Sequence, residues 1–217
     1  MYTENMCGRY GIYGDVTDEY RLKPISGYKF KPNYNVSPSQ IMPVILQKDG
    51  NKQLEYMQWG IHRVVGPDKE KDIINTRSDK ALGRFWGKTI REHRCLIPAN
   101  GFYEWQTTSK GKTPFWIHPK NAGIFSFAGI YSTDNEGRKQ YSIMTTEPNR
   151  EMSEIHNRMP VILDKQEEDS WLFAEDKDTI VEFLHPYHDG GLALVQVSTD
   201  VNNPRNNNST LYQPVKS

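Results

Sequence analysis

The sequence contains little cysteine and no long apolar run. Cys7 and Cys95 are its two cysteines in 217 residues, too few for the disulfide framework of a small secreted domain. Charged residues interrupt the N-terminal segment, and no later segment approaches the length of a membrane span. We therefore expect a soluble, intracellular protein of the cytoplasm that has no membrane partner.

An excess of charge of one sign is also absent, because 27 Lys and Arg residues balance 27 Asp and Glu residues. A polyanion would have to be bound by a local basic patch, since the overall field is neutral. Repeats and Gly/Ser or Pro linkers are missing too, and the longest biased tract is the Asn-rich segment 202–208. We expect a single domain over residues 1–217, which is long enough to bury a sizeable core.

Short apolar and aromatic runs dominate the chain. They predict strands at 42–47, 54–61, 95–105, 115–118, 124–132, 140–146 and 192–198. Gly-containing connections at 48–51, 109–112 and 134–137 are typical of turns between antiparallel neighbours. Helical patterns are fewer, at 78–92, 149–156, 166–173 and 177–184, with Asp164 and Asp176 as expected caps. The pattern predicts an α+β fold built on a twisted, partly closed, mainly antiparallel sheet with interspersed helices.

Four motifs contain residue types that suit a reactive site. They are Met6-Cys7-Gly8-Arg9-Tyr10, Asn75-Thr76-Arg77, Gly101-Phe102-Tyr103-Glu104-Trp105 and His156-Asn157-Arg158-Met159-Pro160. Each alone has a structural explanation, since a single His is more often a hydrogen-bonding residue than a catalyst. Together, Cys, Asn, Glu and His supply a nucleophile, a positioning amide, a carboxylate for proton transfer and a second acid or base.

The order and composition of these motifs resemble the SOS response-associated peptidase (SRAP) family of abasic-site processing proteins. The similarity continues through Tyr34-Asn35-Val36-Ser37-Pro38 and Trp59-Gly60 to Leu211-Tyr212-Gln213-Pro214-Val215, and so covers nearly the whole chain. It implies an SRAP-like fold and an enzyme that senses abasic sites in single-stranded DNA and crosslinks to them as a thiazolidine. It also implies AP lyase activity, which cuts the DNA 3′ to the lesion, and association with the nucleoid during this work.

The resemblance identifies Cys7 as the catalytic cysteine, which has to be the N-terminal residue of the active form. Its α-amine would form an imine with the aldehyde of a ring-opened abasic deoxyribose, and its thiol would close a five-membered thiazolidine ring. Both groups titrate within about two units of neutral pH, so both are partly nucleophilic there. Residues 1–6 are therefore expected to be a leader that is absent from the active form. Either translation starts at Met6 and this Met is then excised, or the chain cleaves itself before Cys7.

The same resemblance assigns Asn75, Glu104 and His156 as the other catalytic residues. Glu104 would move protons during imine formation and ring closure. His156 would protonate the sugar oxygen during ring opening and support β-elimination. Asn75 would hold Cys7 and the substrate in register, although a role as a hydrogen-bonded loop residue remains open for it.

The family also implies a set of DNA contacts. Arg9, Arg77 and Arg158 would bind phosphates, because the guanidinium fork matches phosphate geometry. Trp105 would stack on bases, which suits binding that tolerates any sequence, and Thr145 would line the site. Trp105 can equally be a core aromatic residue, since the aromatic residues of its run cannot all face DNA.

Cofactors and metals are not expected, and protein partners cannot be read from this sequence. Cys95 is interpreted as an inert buried thiol. The other histidines show no metal-ligand spacing with a cysteine pair: His62, His93, His118, His185 and His188.

Two alternative functions remain open. A cysteine-type peptidase or self-processing hydrolase would direct Cys7 at a peptide carbonyl, with proton transfer by His156 and Glu104. A non-catalytic reader of single-stranded nucleic acid would need the arginines and aromatic residues, and Cys7 would be dispensable.

Overall fold

The computed structural model of the protein describes residues 8–25, 29–67, 69–109, 111–121 and 123–215. Cys7 and the expected leader thus lie outside the described residues. The strands are β1 Arg9–Ile12, β2 Asn33–Val36, β3 Ile41–Lys48, β4 Asn51–Trp59, β5 Ile61–Gly66, β6 Lys69–Ile73, β7 Asn75–Arg77, β8 Arg94–Ala99, β9 Gly101–Thr108, β10 Gly111–Pro119, β11 Phe125–Thr133, β12 Lys139–Thr146, β13 Met159–Pro160, β14 Ile162–Leu163 and β15 Leu192–Gln196. The helices are α1 Val16–Tyr20, α2 Ser78–Ala81, α3 Gly87–Glu92, α4 Arg150–Ser153, α5 Glu168–Phe173 and α6 Lys177–Glu182, and 3₁₀ turns form at Thr199–Asn202 and Ser209–Tyr212.

The larger sheet curls into a partly closed barrel. Its strand order is β13-β12-β4-β3-β8-β11-β14, with β7 also paired to β12. A further pairing between β11 and β12 joins the two ends of the path β12-β4-β3-β8-β11. Most pairs are antiparallel, whereas β4 and β7 each run parallel to β12. The predicted α+β fold with a partly closed, mainly antiparallel sheet is confirmed.

The second sheet has the order β15-β10-β9-β1-β2 and is antiparallel. The main core packs against both sheets and contains fully buried aromatics such as Trp59, Phe102 and Tyr141. Burying one such side chain stabilises the fold by about 1.5–3 kcal/mol. A smaller cluster forms on the other side of β9, from Tyr103, Trp116, Val197, Val201 and Leu211.

The chain changes sheet at Asn100, between β8 and β9. The Oδ1 atom of Asn100 accepts hydrogen bonds from the backbone N–H groups of Tyr13 at 2.8 Å and Gly14 at 3.2 Å. Its Nδ2 atom donates to the Gly123 carbonyl at 2.8 Å. The prediction of one strand over 95–105 was therefore wrong, because Asn100 fixes a bend that leaves β8 in the barrel and directs β9 into the second sheet.

Two other predicted elements differ in the structure. The strand predicted over 54–61 ends at Trp59 and a new strand begins at Ile61, because the chain turns at Gly60, whose φ of 118° suits glycine. The helix over 78–92 is two short helices, since glycines at 83 and 87 weaken a continuous helix and the turn between them buries Trp86.

Of the two expected caps, Asp176 is confirmed, because its side chain accepts from the Thr179 N–H at 2.8 Å. Asp164 was wrong as a cap. Helix α5 begins later, at Glu168, and the carboxylate of Glu167 instead accepts from the Asp164 N–H at 2.8 Å.

Candidate active site and nucleic-acid interface

Strand β9 holds Glu104 in a buried position. Alternation along the strand places Phe102 and Glu104 on one face and Tyr103 and Trp105 on the other. Phe102 accordingly joins the main core, and Tyr103 joins the smaller cluster with Trp105 packed against it. Glu104 is 3% exposed, and its Oε1 atom accepts from the Trp105 N–H at 3.1 Å. A carboxylate that is oriented and shielded in this way suits proton transfer at a fixed point.

Strand β12 brings Asn75, Arg77 and Thr145 together. β7 runs parallel to it, with Asn75 opposite Ile143 and Arg77 opposite Thr145. Asn75 and Arg77 are two positions apart, so both side chains leave the same side of β7. Thr145 is buried, and its hydroxyl donates to the Thr76 carbonyl at 3.4 Å.

Arg158 joins this group through two hydrogen bonds to Thr145. Its Nη2 atom donates to the Thr145 carbonyl at 2.6 Å and to the Thr145 hydroxyl oxygen at 3.1 Å. The Arg158 backbone N–H donates to Nδ1 of His156 at 3.2 Å. Because Nδ1 accepts, the neutral ring of His156 carries its proton on Nε2, where it can be donated.

His156 follows helix α4, and one hydrogen bond ties its loop to the strand of Glu104. Asn149 caps α4 by accepting from the Met152 N–H at 3.0 Å, and the His156 N–H donates to the Met152 carbonyl at 2.8 Å. The side chain of Gln106, on β9, donates to the Glu154 carbonyl at 2.8 Å. This hydrogen bond links the strand of Glu104 to the turn that precedes His156.

Arg77 forms a two-point ion pair with Asp79. Nε donates to Oδ1 at 2.9 Å and Nη2 donates to Oδ2 at 2.7 Å. This hydrogen bonding lowers the pKa of Asp79, and the positive charge of Arg158 acts in the same direction. The pair borders a cleft of about 450 Å³, which we call the α2–α6 cleft. Its charged lining residues are Arg77, Asp79, Glu147 and Arg158, and its apolar lining residues are Leu82, Val181 and Leu184.

Arg9 and Trp105 lie on the face of the second sheet opposite to Glu104. Trp105 shares that face with Tyr103 on β9, and Arg9 on β1 is paired with Tyr103. Nη1 of Arg9 donates to Oδ1 of Asn35 at 2.8 Å and to the Val201 carbonyl at 2.9 Å. The indole N–H of Trp105 donates to Oδ1 of Asn202 at 2.8 Å. Both side chains are thus held by the segment that follows β15.

Cys95 is fully buried in β8, and burial raises the pKa of its thiol well above the usual range. Its predicted burial is confirmed. Within the described ranges, no three His, Cys, Asp or Glu side chains are grouped to hold a metal ion. The helices of those ranges are all too short or too polar to cross a membrane.

Sequence reasoning missed three residues that organise this region. Asp79 occupies the fork of Arg77, Gln106 links the two sheets, and Asn35 receives Arg9 while donating to carbonyls of Val201, Asn203 and Asn206. Asn35 lies inside a motif that carried the family resemblance, and Asp79 follows Arg77 by two positions. The motif position of Asn35 and the closeness of Asp79 to Arg77 were the sequence features that could have identified these two residues.

Comparison with known proteins gives matches over almost the entire chain. The sequence model of the SOS response associated peptidase (SRAP) family matches residues 6–204. The abasic site processing protein YoqW of Bacillus subtilis strain 168 is 35% identical over 222 residues, covering 96% of this chain and 99% of that protein. The abasic site processing protein YoaM of the same strain is 34% identical over 220 residues, covering 95% and 97%.

A solved structure has the same fold. The crystal structure of a Bacteroides thetaiotaomicron protein superimposes with a TM-score of 0.72 at 25% sequence identity, covering 96% of this chain and 93% of that one. The similarity therefore extends over the barrel and the second sheet together.

Proposed function

This chain belongs to the SOS response associated peptidase (SRAP) family, and we propose that it processes abasic sites in single-stranded DNA by crosslinking to them through Cys7. The placement of Glu104 carries the proposal. This buried carboxylate is next along β9 from Tyr103, the partner of Arg9 in β1. Cys7 precedes Arg9 by two positions in the sequence.

The reaction begins with the α-amine of Cys7, which adds to the aldehyde carbon of the ring-opened sugar to give a carbinolamine. Glu104 accepts a proton from the nitrogen and returns one to the departing hydroxyl, so that water leaves and an imine forms. The thiol then adds to the imine carbon and its proton passes to the nitrogen, which closes the thiazolidine. One molecule of water is released in total, and no oxidant or reductant takes part.

His156 acts on the sugar before and after capture. As the closed sugar opens to the aldehyde, the Nε2 proton passes to the ring oxygen and the proton of the C1′ hydroxyl returns to Nε2 through water, so that the imidazole stays neutral overall. AP lyase activity is a branch from the imine, in which a base removes a proton from C2′ and the 3′ phosphate departs. The hydrogen bond from the Arg158 N–H to Nδ1 leaves Nε2 as the nitrogen that exchanges protons with the sugar. Asn75, on the same side of β7 as Arg77, holds Cys7 and the sugar in register.

DNA binding is proposed to involve two groups of side chains. Arg77 and Arg158 bind phosphates at the α2–α6 cleft, and Thr145 orients Arg158 through its carbonyl and hydroxyl. Arg9 and Trp105 contact the strand on the opposite face of β9, with Trp105 as the stacking surface. The neutral overall charge makes such local placement of arginines necessary.

Capture requires the amine of Cys7 to be free, because an amide nitrogen cannot form the imine. The encoded chain places six residues before Cys7. The family match begins at residue 6, which supports Met6 as the translation start. Removal of Met6 then exposes Cys7, and self-cleavage before Cys7 is the other route to the same terminus.

The test is a denaturing gel of the protein mixed with a single-stranded oligonucleotide that carries one abasic site. We expect a heat-stable shifted band with the abasic strand and none with the intact strand. Cys7→Ala should abolish the band, whereas the matched control Cys95→Ala should keep it, since Cys95 is buried in the barrel. An equal band from Cys7→Ala would contradict crosslinking through this residue.

A further inference from the structure

The ion pair between Arg77 and Asp79 occupies the donors that a DNA phosphate needs. The two carboxylate oxygens of Asp79 accept hydrogen bonds from Nε of Arg77 at 2.9 Å and from Nη2 of Arg77 at 2.7 Å. A phosphate bridges the same fork through two of its own oxygens. The Asp79 carboxylate and a DNA phosphate therefore compete for the same two N–H donors of Arg77.

The surroundings of the pair favour exchange over a permanent contact. The side chains of Arg77 and Asp79 are 55% and 48% exposed, so water and ions reach both groups. Exposed pairs of this kind are weak. The pair also borders the α2–α6 cleft, where Arg158 is held by Thr145 and contributes a second positive charge. A phosphate that replaces Asp79 therefore lies near a second cation, Arg158, in a cleft that Glu147 also lines.

We propose that Asp79 is an internal anion that holds Arg77 until a DNA phosphate displaces it, and that it thereby sets the affinity for undamaged single strands. The inference rests on the proposed function and names a specificity-determining residue for it. Every intact strand must compete with Asp79, which lowers unproductive binding. A strand with an abasic site is retained by its covalent bond, so its capture depends far less on this competition.

The experiment is a mutant cycle read out by binding of a dT oligonucleotide at low salt. Asp79→Asn should raise the affinity by about two- to fivefold, the weight of an exposed ion pair. In an Arg77→Ala background the same change should have little effect, because the donors it releases are gone. The matched control is Asp169→Asn, which removes an exposed carboxylate paired with Lys52, and it should leave the affinity unchanged.

Other outcomes would overturn the inference. A lower affinity of Asp79→Asn would mean that Asp79 positions Arg77 for DNA. An equal gain in the Arg77→Ala background would mean that Asp79 merely repels DNA through its charge. Melting temperatures of all variants show whether each is folded. The wild-type crosslink to abasic DNA is measured alongside, so that its absence contradicts the proposed function. Its presence, with equal dT binding by the wild type and Asp79→Asn and weaker binding by Arg77→Ala, contradicts only the role of Asp79.

Discussion

At the scale of single residues, Glu104 has the environment of a proton-transfer group. Its side chain is 3% exposed, and the Trp105 N–H fixes one of its oxygens. Glu104→Gln keeps the size and this acceptor but removes the base. We expect the single-turnover rate of crosslinking to fall about 100-fold or more, in the range of general acid–base catalysis, while affinity for undamaged DNA stays within about twofold. A variant that crosslinks at the wild-type rate would remove Glu104 from the chemistry.

Residue types could be assigned from the sequence, but their partners could not. The family resemblance implied that Arg9, Arg77 and Arg158 are all phosphate ligands. In the structure these arginines have different partners, namely Asn35 and Val201 for Arg9, Asp79 for Arg77, and Thr145 for Arg158. Asp79 is two positions from Arg77, so local sequence can suggest this pairing. Val201 is 192 positions from Arg9, so this contact can be known only from the folded structure.

At the scale of secondary structure, the predicted strands were located well where alternation was strong and turns contained glycine. The turns at 48–51 and 134–137 do join antiparallel neighbours. Strand β7 was missed because Asn75–Arg77 is short and polar, and its extended conformation depends on pairing with β12. The break at Asn100 was missed because it depends on hydrogen bonds to Tyr13 and Gly14 in another strand segment.

Arg77, at the end of β7, and Arg158, directly before β13, should determine how the affinity for single-stranded DNA depends on salt concentration. Arg77→Ala and Arg158→Ala should each weaken binding to undamaged single strands. Each should also lower the slope of log affinity against log salt by about 0.7, since each lost phosphate contact releases one counterion fewer. Arg138→Ala is the matched control, because Arg138 is an exposed arginine paired with Asp134 and Glu136 in the turn between β11 and β12. If all three variants keep the wild-type slope, Arg77 and Arg158 do not contact phosphate.

At the scale of the whole molecule, the candidate site depends on how the barrel and the second sheet are joined. Glu104 belongs to the second sheet, Asn75 and Thr145 belong to the barrel, and Gln106 donates to Glu154 across 48 positions of sequence. The sequence predicted the residue types of this site and the class of fold. The junction itself follows from long-range contacts that no local pattern encodes.

Capture is proposed to occur through Cys7 as an N-terminal residue, with both its α-amine and its thiol. Mass spectrometry of the trypsin- and nuclease-digested crosslink tests it most directly. We expect the adduct on the peptide Cys7-Gly8-Arg9, which begins at Cys7, with a mass equal to peptide plus sugar remnant minus one water. The same adduct on a chain that still begins at Met1, or on a different residue, would contradict thiazolidine formation in this protein.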